Sequence, residues 1–169
     1  MIEYKQRMAE RDLAQVWPQW RIVRLLGMGS FGEVYEIHRE EYGRISKCAL
    51  KIIRKEKMSG LPGDLYANLS RGGTSDEFIN TVIREIDIME TLKGASNVVV
   101  IDDYTVVRNE ESDAVLIRME LLTNLGEYMT TRQVSMNDIL RMGMDICTAL
   151  DYCERQKIIH RDVKESNIF

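Results

Sequence analysis

Two stretches in the first third of the sequence contain residue types that can bind phosphate groups. The first is a run of glycines, Gly27-Met28-Gly29-Ser30-Phe31-Gly32. Because glycine has no side chain, its backbone N–H groups can approach phosphate oxygens closely. A similar run opens a helix in dinucleotide-binding folds, but here Val34, Tyr35 and Ile37 follow it and favour a strand. The pattern therefore predicts a strand–loop–strand that holds phosphate, with a plain hairpin turn as the alternative.

The second stretch is a lysine on an apolar strand, Cys48-Ala49-Leu50-Lys51. An ammonium group is costly to bury without a counter-charge. The Lys51 side chain therefore either extends to solvent or meets an anion. Glu85 lies within a later segment of helical periodicity and is the candidate counter-charge. A solvated surface charge is the alternative interpretation of Glu85.

The most specific pattern in the chain is His160-Arg161-Asp162-Val163-Lys164-Glu165-Ser166-Asn167. It follows a long predicted helix and a short apolar step, Ile158-Ile159. The pattern resembles the H-R-D-x-K-x-x-N catalytic loop of protein kinases. Together with the glycine run and Lys51, in this order, it resembles eukaryotic-type protein kinases over about residues 20 to 169. The resemblance implies ATP-dependent phosphoryl transfer to serine or threonine of protein substrates.

The resemblance also assigns a role to each candidate residue. Gly27, Gly29 and Gly32 are expected to cover the ATP phosphates, and Lys51, paired with Glu85, to hold the α- and β-phosphates. The residues expected to contact the adenine are Val34, Ala49, Met119, Glu120, Leu122 and Phe169. Asp162 is expected to be the catalytic base, Lys164 to steady the γ-phosphate and Asn167 to bind Mg²⁺.

The sequence departs from the family pattern in three places. Glu165 stands where many members have proline, and the segment between Lys51 and Glu85 carries an insertion. No D-F-G motif follows Asn167. We therefore expect the parent chain to be the enzyme and residues 1–169 alone to be inactive.

Local patterns predict the elements that carry these residues. A helix over residues 3–16 ends at Pro18, because the residue before a proline is disfavoured in a helix. The predicted strands lie at 20–26, 34–37, 46–53, 98–107 and 114–119, and a loop is predicted at 54–75. Two more helices are predicted: one from an N-cap at Ser75 to Gly94, and one over 137–154 with a capping box of Ser135 and Asp138.

The expected fold class is α+β and kinase-like: a five-stranded antiparallel N-lobe with one main helix, then the helical start of a C-lobe. The predicted boundaries are 1–19 for an N-terminal helical extension, 20–119 for the N-lobe and 120–169 for the hinge and truncated C-lobe.

Composition limits the other classes of function. A net charge of -4 argues against a general nucleic-acid binder. No apolar run approaches the ~18 residues that span a bilayer, and no signal peptide is evident at the N-terminus. The three cysteines, Cys48, Cys147 and Cys153, are odd in number and form no C-x-x-C pair. They are expected to be buried free thiols, which fits a cytoplasmic setting.

Two other functions stay open at this point. One is a non-catalytic nucleotide-binding or scaffold module. The other is a small-molecule kinase of the aminoglycoside or choline type, against which Arg161 and Lys164 argue together. In either case the helix over 137–154 has an apolar face that includes Ile139, Met142 and Leu150. Without further helices to cover that face, residues 1–169 are expected to self-associate.

Overall fold

A computed structural model of the chain describes residues 2–29, 32–57 and 74–169. The elements, in chain order, are α1 (Ile2–Val16), β1 (Arg21–Gly29), β2 (Gly32–Glu41), β3 (Arg44–Glu56), α2 (Ser75–Thr91), β4 (Ile101–Arg108), β5 (Ser112–Met119), α3 (Leu125–Thr131), α4 (Met136–Arg155) and a 3₁₀ turn (Glu165–Asn167). These residues separate into two compact units, which are described individually. The first unit comprises Met1–Ile86 and Ile101–Leu121, and the second comprises Asp87–Val100 and Leu122–Phe169.

The first unit is built on a sheet whose five described strands run in the order β1-β2-β3-β5-β4, with every neighbouring pair antiparallel. The predicted α+β, N-lobe-like class is thereby confirmed. The β2–β3 hairpin turns at Tyr42 and Gly43, whose φ angles are 50° and 72°. Two successive positive φ values are the mark of a type I′ turn, whose twist suits a tight hairpin.

The two faces of this sheet have different partners. One face carries Tyr35, Ile37, Leu50, Ile52 and Leu116, which form a buried cluster with Ala9 and Leu13 of α1 and with Trp17 and Trp20 just after it. Since successive residues of a strand point to opposite sides, Val34, Ala49 and Lys51 lie on the other face. Helix α1 is thus an integral part of the first unit and covers the face opposite the predicted phosphate-binding residues.

Several predicted element limits need correction. Strand β3 runs from Arg44 to Glu56 and is longer than predicted, because its last residues still pair with the start of β5. The predicted loop at 54–75 is therefore wrong for residues 54–56, and residues 58–73 lie outside the described residues. Strand β4 begins at Ile101 rather than Val98. The preceding segment contains Asn97 in a left-handed conformation, at a φ of 64°, which does not extend a strand.

The N-cap predicted for α2 is also wrong by one residue. Thr74 caps the helix: its hydroxyl accepts from the Glu77 N–H at 3.3 Å, and the Glu77 carboxylate accepts from the Thr74 N–H at 2.7 Å. This reciprocal pair is a capping box. The Ser75 hydroxyl instead donates to the carboxylate of Asp113, at the start of β5.

In the second unit, α4 begins at the predicted capping box. The Ser135 hydroxyl accepts from the Asp138 N–H, and the Asp138 carboxylate accepts from the Ser135 N–H at 2.9 Å. Helix α3 was not predicted, since seven residues are too short for a clear periodic signal. Its N-cap is Asn124, whose side-chain oxygen accepts from the Gly126 N–H at 2.9 Å.

The cysteines only partly match the prediction. All three are free thiols, but only Cys153 is buried, whereas Cys48 is half-buried and Cys147 is exposed. Cys147 lies on α4, in which Cys153 is the one buried residue. Within residues 2–29, 32–57 and 74–169, no helix combines the length and the apolar character needed to cross a bilayer.

Candidate active site

The glycine run forms a hairpin between β1 and β2. Gly29 pairs with Gly32 and Gly27 pairs with Val34, while Ser30 and Phe31 fall outside the described residues. The predicted strand–loop–strand setting is therefore present, and it differs from the strand–loop–helix setting of a dinucleotide-binding motif.

The three glycines differ in what surrounds them. Gly32 has a φ of +102°, and a Cβ added there would collide with the carbonyl oxygen of Ile52. At Gly27 and Gly29 an added Cβ would meet no atom of the described residues within 4 Å. Packing within the first unit thus requires glycine at position 32, whereas Gly27 and Gly29 border open space that a ligand can occupy.

Lys51 lies in the row of paired residues that starts at the glycine hairpin. Gly27 pairs with Val34, Val34 with Lys51, and Lys51 with Ile117. Paired residues share a face of the sheet, so the half-buried lysine side chain lies on the same face as Val34. The next row on this face contains Ala49, which pairs with Met119.

Burial and the carboxylate of Glu85 act in opposite directions on the Lys51 ammonium. Burial lowers the pKa of Lys51, and the negative charge of Glu85 on α2 opposes that shift only in part. The charged form would therefore gain from a further anion close to the ammonium. Glu85 is exposed to solvent on one side of α2, while Val82 and Ile86 of the same helix are buried.

The residues expected to contact adenine fall in both units. Val34, Ala49, Met119 and Glu120 belong to the first unit, where Ala49 is buried and the other three are half-buried. Leu122 and Phe169 belong to the second unit and are 40% and 58% exposed. Their roles stay predictions.

The second unit brings Asp162, Lys164 and Asn167 into direct contact. The Lys164 Nζ lies 2.9 Å from Oδ2 of Asp162, and the Asn167 Nδ2 donates to the same oxygen at 2.9 Å. The Asn167 Nδ2 also lies 2.9 Å from the Asp162 carbonyl oxygen. The 3₁₀ turn makes this possible, because it folds the chain back within five residues.

This cluster keeps Asp162 ionised. The hydrogen bond from Lys164, aided by that from Asn167, lowers the pKa of Asp162 below its ordinary value. Both donors engage Oδ2 of Asp162. An ionised carboxylate held by one oxygen can accept a hydrogen bond from a hydroxyl group at the other.

One residue that orients this loop was missed in the sequence. Asn124 caps α3, and its Nδ2 donates to the carbonyl oxygen of Ser166 at 3.4 Å, while the N–H of Leu125 donates to the carbonyl oxygen of Ile168 at 2.9 Å. The segment around Asn167 is thus tied to the start of α3. The available signal was a polar N-cap residue, Asn124, with Glu127 three positions later.

The fold and these residues place the chain in a known class. The family model described as "Protein kinase domain" matches residues 20–169, which is most of the chain. The chain therefore belongs to the protein kinase family. Helix α1 lies before the matched region.

Individual relatives support the same family. The chain is 30% identical over 151 residues to the carbon catabolite-derepressing protein kinase of Saccharomyces cerevisiae, and 30% identical over 151 residues to that of Candida glabrata. These alignments cover 88% of this chain but 20% and 21% of the relatives. A protein of Dictyostelium discoideum named "Probable serine/threonine-protein kinase dyrk2" is 29% identical over 175 residues, covering 98% of this chain and 16% of that protein. The chain thus spans about a fifth of the length of these relatives.

Proposed function

We propose that the full-length protein transfers the γ-phosphoryl group of ATP to serine or threonine hydroxyls of protein substrates. The observation that carries this proposal is the cluster in which Lys164 and Asn167 both bind Oδ2 of Asp162, each at 2.9 Å. In this arrangement Oδ1 of Asp162 can accept the proton of the substrate hydroxyl while the hydroxyl oxygen attacks the γ-phosphorus of ATP.

The first unit supplies features that suit a nucleotide. Gly27 and Gly29 border open space, so backbone N–H groups can approach phosphate oxygens there. The Lys51 ammonium is partly desolvated, and the charge of Glu85 offsets that desolvation only in part. An α- or β-phosphate would supply the anion that stabilises it. Val34, Ala49 and Met119 lie along the same face and offer apolar contacts for the adenine.

Asn167 suits the proposed role of a Mg²⁺ ligand. Its Nδ2 is occupied by Asp162, which orients its carbonyl oxygen as the atom left for a hard cation. Among the described residues no group of three or more His, Cys, Asp or Glu side chains is arranged to hold a metal ion. Asn167 would therefore share Mg²⁺ with the phosphates and a further ligand. The cation would neutralise the charge that develops on the phosphates.

Preference for serine and threonine is inferred from Lys164, which follows Asp162 by two residues. The name of the Dictyostelium relative agrees with this inference. Phosphoamino-acid analysis after incubation of the full-length protein with labelled ATP and a mixed protein substrate is the measurement. We expect phosphoserine and phosphothreonine, and a product that is mainly phosphotyrosine would contradict the inference.

The proposal is tested most directly at Lys51. In the full-length protein, Lys51→Met is expected to reduce phosphoryl transfer by about 100- to 1,000-fold, the usual effect of removing one electrostatic group from a reacting centre. Lys47→Met, an exposed lysine on the same strand, is the matched control and should retain activity. Equal loss in both variants, or none in Lys51→Met, would overturn the assignment. ATP binding without any transfer by the unaltered protein would favour a non-catalytic module.

We also infer a cytoplasmic location. The chain carries three free thiols and no disulfide among the described residues, as is usual in a reducing compartment. Fractionation of cells that express the full-length protein tests this, and recovery in a secreted fraction would contradict it.

A further inference from the structure

Helix α1 lies outside the region matched by the family model, yet it is packed into the first unit. Ala9 and Leu13 are fully buried against the sheet, and Met8 is almost so. The helix therefore covers the face opposite Val34 and Lys51. Contacts made by the helix can restrict the strands from that face.

The C-terminal half of α1 is anchored by a buried carboxylate. Asp12 has no solvent exposure, and its two oxygens accept from Arg54 of β3 and from Nδ2 of Asn109, the latter at 2.8 Å. The Nε of Arg11 also donates to Asp12, at 3.3 Å. A buried charge held by these three donors resists displacement, since moving it would leave the carboxylate uncompensated. This anchor fixes where the N-terminal half of α1 must lie.

That N-terminal half contacts the strand that returns from the glycine hairpin. The Nζ of Lys5 lies 3.3 Å from Oε1 of Glu33, whose side chain is only 5% exposed. The other carboxylate oxygen of Glu33 accepts from the Tyr35 hydroxyl at 3.2 Å. Burial, together with the charge of Glu33, raises the pKa of Tyr35 well above its ordinary value, so the phenol stays a donor.

Glu33 is well placed to transmit this contact. It directly follows Gly32, whose positive φ and close approach to Ile52 restrict the backbone. It directly precedes Val34, whose side chain lies on the opposite face, in the row of Lys51. A contact that restrains the Glu33 side chain therefore also restrains the backbone of the β1–β2 glycine hairpin.

We propose that Lys5 is a positioning residue for phosphate binding, because its ion pair with Glu33 holds the β1–β2 glycine hairpin from the face opposite the nucleotide. This inference rests on the proposed function, since it assigns the hairpin to ATP phosphates. Lys5 does not itself touch the nucleotide. It restricts the hairpin, so that less conformational freedom is lost when phosphate binds.

The test compares three variants of the full-length protein. Lys5→Ala removes the charge and Lys5→Arg keeps it. Arg7→Ala is the matched control on the same helix, since the Arg7 Nε donates to the Glu3 carbonyl oxygen, at 3.4 Å, and not to Glu33. Two quantities are measured: hydrogen–deuterium exchange of peptides covering residues 27–34 without ATP, and the apparent KM for ATP against kcat. Lys5→Ala should speed the exchange and raise the KM by about two- to thirtyfold with little change in kcat, as expected for a residue coupled to a site that it does not contact. Lys5→Arg and Arg7→Ala should resemble the unaltered protein.

The outcomes separate this inference from the proposed function. If the unaltered protein neither binds nor transfers phosphate from ATP, the proposed function fails, and the exchange measurement alone still shows whether Lys5 holds the hairpin. If the unaltered protein is active and Lys5→Ala changes neither quantity, the inference is wrong. Faster exchange with an unchanged KM would also overturn it, because Lys5 would then be merely structural. In a Glu33→Gln background Lys5→Ala should have no further effect, and a full additional effect would contradict the pairing.

Discussion

At Gly32 the backbone φ is +102°, and an added Cβ would collide with the carbonyl oxygen of Ile52. Gly29, three residues earlier, has no such neighbour. Gly32→Ala is therefore expected to lower the free energy of unfolding by about 1–3 kcal/mol, the cost of holding a side chain in a strained backbone region. Gly29→Ala should leave stability nearly unchanged and weaken ATP binding instead.

These two variants can be compared with a single probe. The chain has two tryptophans, Trp17 and Trp20, and both are buried in the first unit. Urea unfolding followed by tryptophan fluorescence thus reports on the sheet that carries the glycines. Equal stability of Gly32→Ala and the unaltered chain would show that the hairpin adopts another conformation. Loss of stability in Gly29→Ala would show that packing, rather than ligand access, requires glycine there.

At the scale of elements, Asp113 joins the start of α2 to β5. The carboxylate is 1% exposed, accepts from Ser75 and lies 2.9 Å from the Nζ of Lys57. Burial by itself would raise the pKa of Asp113, but the hydrogen bonds from Lys57 and Ser75 outweigh it and lower the pKa. Because α2 carries Glu85, this contact also fixes the helix that faces Lys51.

A depressed pKa makes this contribution dependent on pH. The stabilisation is fully present above the pKa of an unfolded aspartate, about 4, and is lost as the pH falls through the lower folded value. Asp113→Asn is expected to reduce the free energy of unfolding by about 1–3 kcal/mol at pH 7, and the deficit should shrink below about pH 4. Urea unfolding at both pH values measures it. A deficit that is the same at pH 7 and in acid would show that the Asp113 charge does not matter.

At the scale of the whole chain, α4 has an uncovered apolar face. Leu140 and Met144 are 59% and 62% exposed, and Ile139 is 43% exposed. Covering each large apolar side chain is worth roughly 1.5–3 kcal/mol, so a partner surface is strongly favoured. A polypeptide of residues 1–169 alone is therefore expected to self-associate in solution. Since residues 1–169 contain no D-F-G aspartate to bind the cation, the same polypeptide is also expected to show no phosphoryl transfer.

Light scattering and a kinase assay on that polypeptide check both statements. Leu140→Lys combined with Met144→Lys should reduce the association, because charges are costly to bury in such a contact. Ile45→Lys, at a residue that is 61% exposed on β3, is the matched control and should have no effect. A stable monomer that phosphorylates protein would contradict the expectation.

The sequence by itself determined the features that depend on near neighbours. The resemblance of residues 160–167 to a kinase catalytic loop predicted that Asp162, Lys164 and Asn167 act together, and the short chain between them brings them into contact. Val34 and Tyr35 are neighbours in the chain, as are Lys51 and Leu50, so strand formation alone puts the two members of each pair on opposite faces. Their assigned roles stay predictions.

Only the tertiary structure decided which residues α1 contacts. Its mixed charges are typical of a solvated surface helix, and nothing in the local pattern indicates that Asp12 is buried against Arg54, 42 residues away, or that Lys5 meets Glu33. The same holds for the N-cap of α2, which is Thr74 because the Ser75 hydroxyl donates to Asp113 of β5. A charged side chain far from its partner in sequence acquires that partner only through packing, because the apolar faces of α1 and the sheet decide which charges are enclosed together.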